Sequence, residues 1–149
     1  LGPTLERILG HVRFTALYLL SALGGGVVSY FFSDITTVSV GASGAIFGLM
    51  GALVVAGRRL RYDVTQVLVL LGINVVIGFL APGIDWRAHL GGLVTGALVA
   101  AILVHAPRKS RTFIQVAGLG GVLLILVAVA MLRTSQIQEL LAPLGVITT

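Results

Sequence analysis

Long apolar runs broken by short basic clusters constrain this chain more than any other feature. The runs at 14–32, 64–80, 88–104 and 113–132 are each close to the length that crosses a bilayer, and a shorter one covers 43–57. Hydrocarbon offers no water to satisfy a backbone N–H or C=O, so each run has to pair its own backbone groups as a helix. Composition agrees: the 149 residues are 57% hydrophobic and 10% charged, with a mean hydropathy of +1.08, far from the balance of a soluble domain. The first ten residues, LGPTLERILG, read as the last turns of a helix closed by Gly10. The reading is an all-α polytopic membrane protein with five complete transmembrane helices plus the end of another. At ~1.5 Å per residue the 43–57 helix covers only ~22 Å of a ~30 Å hydrocarbon core, which places its first residue, Ser43, below the membrane surface.

The charges read as topology signals. Net charge is +5, yet no basic stripe is interleaved with exposed aromatics, so the partner is the lipid bilayer and not nucleic acid. Arg7 and Arg13, then Arg58, Arg59 and Arg61, then Arg108, Lys109 and Arg111 fall on one side of the alternating helices, with only Arg87 and Arg133 on the other. Cytoplasmic loops carry the positive excess, so the segments 33–40 and 81–87 face outward, where Trp86 suits the interface. The helices beginning near Ser43 and near Ala88 therefore descend from the same, non-cytoplasmic face. With no cysteine there is no disulfide, thiolate metal site or cysteine nucleophile. The chain begins at Leu1 with no leader pattern, and we expect it to be a piece of a longer polypeptide. Asn74 is expected to bond a neighbouring helix as structural glue, and 133–149 carries no assignable function.

Chemistry concentrates in two stretches. GASGAIFG at 41–48 sets one hydroxyl, Ser43, between Gly41 and Gly44 at a helix mouth, as a nucleophilic serine requires; Gly44 with Gly48 equally forms a packing seam. His89 opens the helix that carries the second such seam, Gly92 with Gly96. Two seams would bring the helices close enough for the imidazole to take the serine proton, whereas His11 and His105 lie toward the cytoplasmic face. Taken alone, His89 fits an interfacial histidine bonded to a backbone carbonyl as well as a general base. Phe47, one turn below Ser43, fits packing on the imidazole or ordinary core packing. Asp85 stands four residues before His89 and would orient the imidazole if the helix began earlier; it reads as an adjacent loop residue, leaving a dyad. Backbone N–H groups at the start of the serine helix, that of Ser43 included, are available to a developing oxyanion.

These segments together resemble the rhomboid intramembrane serine proteases. GASGAIFG matches the family's GxSG motif, AHLGGLVTG at 88–96 is similar to its AHxxGxxxG motif, and LGPTLERILGHVRF at 1–14 resembles the end of its second helix and the start of its third. The resemblance covers about 1–106. It implies a rhomboid-like helix bundle, with 1–106 a partial protease core lacking the first helix and most of the second, and 107–149 an extra C-terminal transmembrane helix and tail. It implies a serine endopeptidase with Ser43 as nucleophile and His89 as general base, Phe47 stacked on the histidine, Gly41 and Gly44 shaping the oxyanion site, and no metal or cofactor. Substrates would be transmembrane proteins cut near their outer end, in a multi-pass protein of a bacterial plasma membrane. The family's HxxxN motif, a source of side-chain oxyanion donors, is expected ahead of Leu1. The alternative within the same resemblance is a noncatalytic protein that binds transmembrane clients, or an inactive fragment. No pattern in the chain speaks to oligomeric state.

Overall fold

The computed structural model describes residues 1–34, 42–81 and 83–144, and every regular element among them is helical. In order these are α1 (Gly2–Leu9), α2 (His11–Phe32), α3 (Ser43–Leu60), α4 (Thr65–Leu80), α5 (Trp86–His105) and α6 (Arg111–Leu141), with short 3₁₀ turns at Arg108–Ser110 and Ala142–Leu144. Local chemistry sets most boundaries. Gly10 adopts φ 83°, a backbone that a residue with a Cβ rarely takes, so α1 stops there and α2 starts on a new axis. Asp63 accepts the N–H of Thr65 at 2.9 Å and so opens α4; bonds from the Thr65 side chain and backbone hold its carboxyl below the usual carboxylate range.

Four helices are long and apolar enough to cross a membrane, and α4, at 16 residues, is a shorter apolar helix. The expected set of five complete spans therefore resolves into four long helices and one of ~24 Å. Helix α3 does not stop at Gly57. It runs on through Arg58 and Arg59, cations suited to the negative end of a helix dipole, until Arg61 turns left-handed at φ 60°. Helix α6 continues well past 132, so much of the tail beyond Arg133 is helical.

Small residues decide which helices meet. A Cβ built on Gly92 would lie 1.9 Å from the carbonyl oxygen of Gly44, and one on Gly96 would lie 2.2 Å from that of Gly48. The partners of α3 advance along α5 in the same direction, so these two helices run parallel. Helix α2 packs on both in the opposite sense: Gly24 faces Thr95, Gly25 faces Ala88 and Gly44, and Ser21 faces Gly48. Contact this close replaces methyl-on-methyl packing with backbone against backbone, the arrangement by which helices associate in lipid without help from water. It also fixes depth. Gly44 lies opposite Gly25, two turns short of the end of α2 at Phe32, so Ser43 starts roughly 10 Å below the end of its neighbour. Ser43 thus begins below the end of the adjacent helix, although α3 runs longer than the 43–57 expected from the sequence.

At the other end of the bundle α6 is tied on by one polar cluster. Gln115, 4% exposed, accepts from Arg13 Nε at 2.8 Å and donates through Nε2 to the Leu103 carbonyl at 2.8 Å, joining α2, α5 and α6. Near the Ser43 end, Arg133 reaches the carbonyls of Tyr30 and Ser33. Asn74 is not interhelical glue: its amide folds back on the Leu70 carbonyl one turn earlier in α4.

Two stability predictions follow from these contacts. Gly96→Ala, with a Cβ forced onto the Gly48 backbone, should cost about 1–3 kcal/mol of stability in mild detergent. Gly72→Ala, which meets nothing within 4 Å, should be neutral or slightly stabilising; equal melting points for the two would contradict the packing described. Gln115→Leu leaves the Arg13 guanidinium with only the Leu9 carbonyl, and the Leu103 carbonyl without its side-chain donor, and should lower stability by about 1–3 kcal/mol. Faster tryptic cutting at Arg108 and Lys109 would report the loosened α6.

Candidate active site at the Ser43 end of the bundle

Serine is a favoured N-cap, and a capping hydroxyl is spent on backbone N–H groups. In α3 the cap position is taken by Ala42, with no side-chain cap bond, and Ser43 is the first helical residue. Its hydroxyl makes no hydrogen bond among the described residues and is half-buried. The first N–H of this turn to find a helical acceptor is that of Ile46, on the Ala42 carbonyl at 3.1 Å, which leaves the N–H groups of Ser43, Gly44 and Ala45 without one inside α3. Gly41 lies outside the described residues.

His89 comes to the same place from α5. Asp85 caps that helix, its Oδ1 accepting from the N–H groups of Arg87 at 3.1 Å and Ala88 at 3.2 Å, so α5 starts at Trp86 and His89 sits in its first turn. The ring stacks on Phe47 of α3, with centroids 4.1 Å apart and planes within 10°. Phe47 is itself 4% exposed, so it offers a fixed surface. Ser43, one turn before Phe47 on α3, is brought to the His89 side of the contact, where Gly44 meets the Ala88 carbonyl. No hydrogen bond joins Ser43 to His89 among the described residues. His89 Nδ1 is buried and has no hydrogen-bond partner among the described residues.

The other sequence-designated residues serve the approach of the two helices. Gly44, Gly48, Gly92 and Gly96 are all buried in the α3–α5 contact. His11 instead pairs with Glu6 at 2.6 Å and His105 bonds the Ala101 carbonyl, both away from this site. Among the described residues no group of three His, Cys, Asp or Glu side chains is placed to hold a metal ion. A hollow of about 720 Å³ lies at the opposite, basic end, lined in part by Arg7, Tyr62 and Asp63, and holds no such pairing of hydroxyl and imidazole.

Gly78 and Ser29, which sequence reasoning passed over, and Asp85, which it read as a loop residue, complete the surroundings. Gly78 of α4 lies against the imidazole edge: a Cβ there would stand 3.3 Å from His89 Nδ1. A lone glycine inside an otherwise apolar helix was the available signal. Asp85 is the α5 cap and not a loop neighbour, and Ser29 of α2 donates its hydroxyl to Asp85 Oδ2. Placing the helix start at Ala88 hid the capping position three residues earlier. Phe79 stacks on Trp86 at 5.1 Å, closing the α4–α5 turn beside the site.

With this geometry in view, comparison with known proteins is informative. A family model described as the rhomboid domain matches residues 1–106. The chain is 40% identical over 107 residues to the rhomboid protease GluP of Bacillus subtilis, covering 68% of this chain and 21% of that protein. It is 37% identical over 115 residues to RHOMBOID-like protein 4 of Arabidopsis thaliana, covering 72% of this chain and 28% of the relative. RHOMBOID-like protein 6, mitochondrial, from the same plant is also 37% identical over 115 residues, covering 72% and 37%. The chain thus spans well under half the length of each of these relatives. They come from a bacterium and a plant, so they place the chain in a membrane without choosing which. No solved structure matches. The rhomboid match covers the helices that carry Ser43, Phe47 and His89, and this integral, multi-pass membrane protein belongs to the rhomboid family.

Proposed function

We propose that the chain carries the serine and histidine of an intramembrane endopeptidase that cuts transmembrane proteins near the non-cytoplasmic side. The observation that supports this most is the stack of His89 on Phe47 beside the uncapped start of α3, which gives a half-buried hydroxyl and an imidazole one shared address in the bundle. In this reading Ser43 Oγ attacks the scissile carbonyl carbon while His89 takes its proton, and the carbonyl oxygen becomes an oxyanion near the first-turn N–H groups of α3. Collapse of the tetrahedral intermediate breaks the C–N bond, with His89 returning the proton to the leaving amine. Water, deprotonated by His89, then attacks the acyl ester and restores Ser43. Because Nδ1 faces Gly78 of α4, Nε2 is the nitrogen assigned to the proton transfers. No carboxylate is needed on the ring, since stacking on Phe47 and packing against Gly78 hold its plane. The glycine seams take the role of scaffold, and transmembrane segments are the partners.

The test is cleavage of a transmembrane reporter in proteoliposomes by the complete natural polypeptide. Ser43→Ala and His89→Ala should each reduce turnover by at least about 10³-fold, and undiminished cleavage by Ser43→Ala would overturn the assignment. A fluorophosphonate should label Ser43 in the unaltered protein and fail to do so in His89→Ala; a noncatalytic client-binding protein would not react at all. Phe47→Tyr should keep most activity, whereas Phe47→Ala loses the stack and should slow cleavage about 3- to 10-fold.

A further inference from the structure

We propose that Asp85, held by Ser29, is a positioning residue that sets the height and rotation of His89. The inference deepens the reading of His89 as general base and rests on it. Its starting point is a mechanical weakness in the contacts already described. At Gly92 and Gly96 helix α5 meets α3 as backbone on backbone, a contact with few ridges to stop one helix sliding along the other. The Phe47–His89 stack has the same character, because parallel rings tolerate lateral offset. Something directional has to fix α5 along its axis.

Asp85 has the right connections. One carboxylate oxygen, Oδ1, accepts from the N–H groups of Arg87 and Ala88, and the other, Oδ2, accepts the hydroxyl of Ser29. Ser29 is 3% exposed and belongs to α2, so this single side chain couples the first turn of α5 to a neighbouring helix. The same residue's carbonyl accepts the N–H of His89 at 3.3 Å. Side chain and main chain of Asp85 together therefore define the turn from which the imidazole projects. A negative charge at this N-terminal position is also favoured by the helix dipole, which strengthens the cap. Ser29 stands one turn beyond Gly25 on α2, and Asp85 stands just before Ala88, which Gly25 touches, so the bond closes the antiparallel contact at its upper edge.

The variants are Asp85→Ala, Asp85→Asn, Ser29→Ala and the Ser29→Ala/Asp85→Ala pair, in the complete natural polypeptide. Misplacement of a catalytic group by an ångström can cost about 10²-fold, so Asp85→Ala should lower kcat by about 10- to 100-fold with KM within twofold. Asp85→Asn should recover to within about threefold, since the amide oxygen still caps the same N–H groups and its NH₂ donates to Ser29. The double variant should be no worse than Asp85→Ala, because the two residues act as one unit. A second readout is independent of catalysis: the imidazole proton signals of His89, shifted upfield by the Phe47 ring in the unaltered protein, should lose that shift in Asp85→Ala and keep it in Asp85→Asn at equal helix content. Unchanged His89 signals in Asp85→Ala, or multiplicative losses in the double variant, would overturn the proposal. If the unaltered protein neither cleaves nor labels, the proposed activity fails while the signals of His89 still decide whether Asp85 places it.

Discussion

The contact between the Gly44 carbonyl and the face of Gly92, repeated one turn on between Gly48 and Gly96, is the constraint on which the rest of the bundle depends. Gly92 and Gly96 have no room for a side chain there, so the two helices are separated by little more than backbone. In water such a contact would add little beyond burial, but in lipid, where apolar side chains gain nothing by leaving their surroundings, close packing is what remains to hold helices together. Because α3 and α5 run parallel, the seam also aligns their first turns. Ser43 precedes the first glycine of one seam, and His89 precedes the first glycine of the other by three residues. The residues that hold the helices together thereby place the hydroxyl and the imidazole at one level.

Helix α2 turns this pair into a three-helix core. It offers Gly24 and Gly25 where it crosses α5 and α3, and then, one turn further, the hydroxyl of Ser29 to Asp85. Close contact and directional bond are separated along α2, so one part supplies proximity and the other supplies register. A comparable division appears at the opposite end. There the apolar core of Leu5, Leu17, Leu49, Val99 and Leu103 fills space, and Gln115 locks the end of α5 to α6 and Arg13. Polar groups are few inside this bundle, and Asp85, Ser29 and Gln115 each join two elements.

Much of this was legible in the sequence, for physical reasons that also explain what was not. Apolar runs must become helices in hydrocarbon, so the all-α class and the positions of α2, α5 and α6 followed directly from composition. The spacing of Gly44, Gly48, Gly92 and Gly96 marked the helix pair that touches, because only close contact makes four glycines at that interval useful. Helix ends were harder. The end of α3 depends on Arg61 turning left-handed and the start of α5 on the Asp85 cap, both local events that an apolar pattern does not register. Gly78 and Ser29 were missed for a related cause. Each matters through a residue distant in sequence, His89 and Asp85, and periodicity within one helix carries no information about which neighbour lies opposite. Asn74 shows the converse, since a polar residue in an apolar helix reads as an interhelical bond, yet its amide donates to the Leu70 carbonyl one turn earlier in the same helix.

Ser43 and His89 differ from the polar side chains that tie the helices to one another. Ser29, Asp85, Gln115 and Arg13 are all engaged, whereas the Ser43 hydroxyl caps nothing and the His89 ring is held by a stack and a glycine instead of by a hydrogen bond. A buried imidazole nitrogen without a partner is costly, by about 1–3 kcal/mol on the scale of an unsatisfied polar group. A fold selected for stability alone would fill that position with carbon. Stacking and packing hold the ring by its face and edge, so in the proposed mechanism the Nε2 lone pair can take the serine proton while Nδ1 carries the ring N–H. Holding the site by shape, with hydrogen bonds reserved for the residues around it, is thus the physical condition under which a serine and a histidine inside a membrane bundle remain available to react.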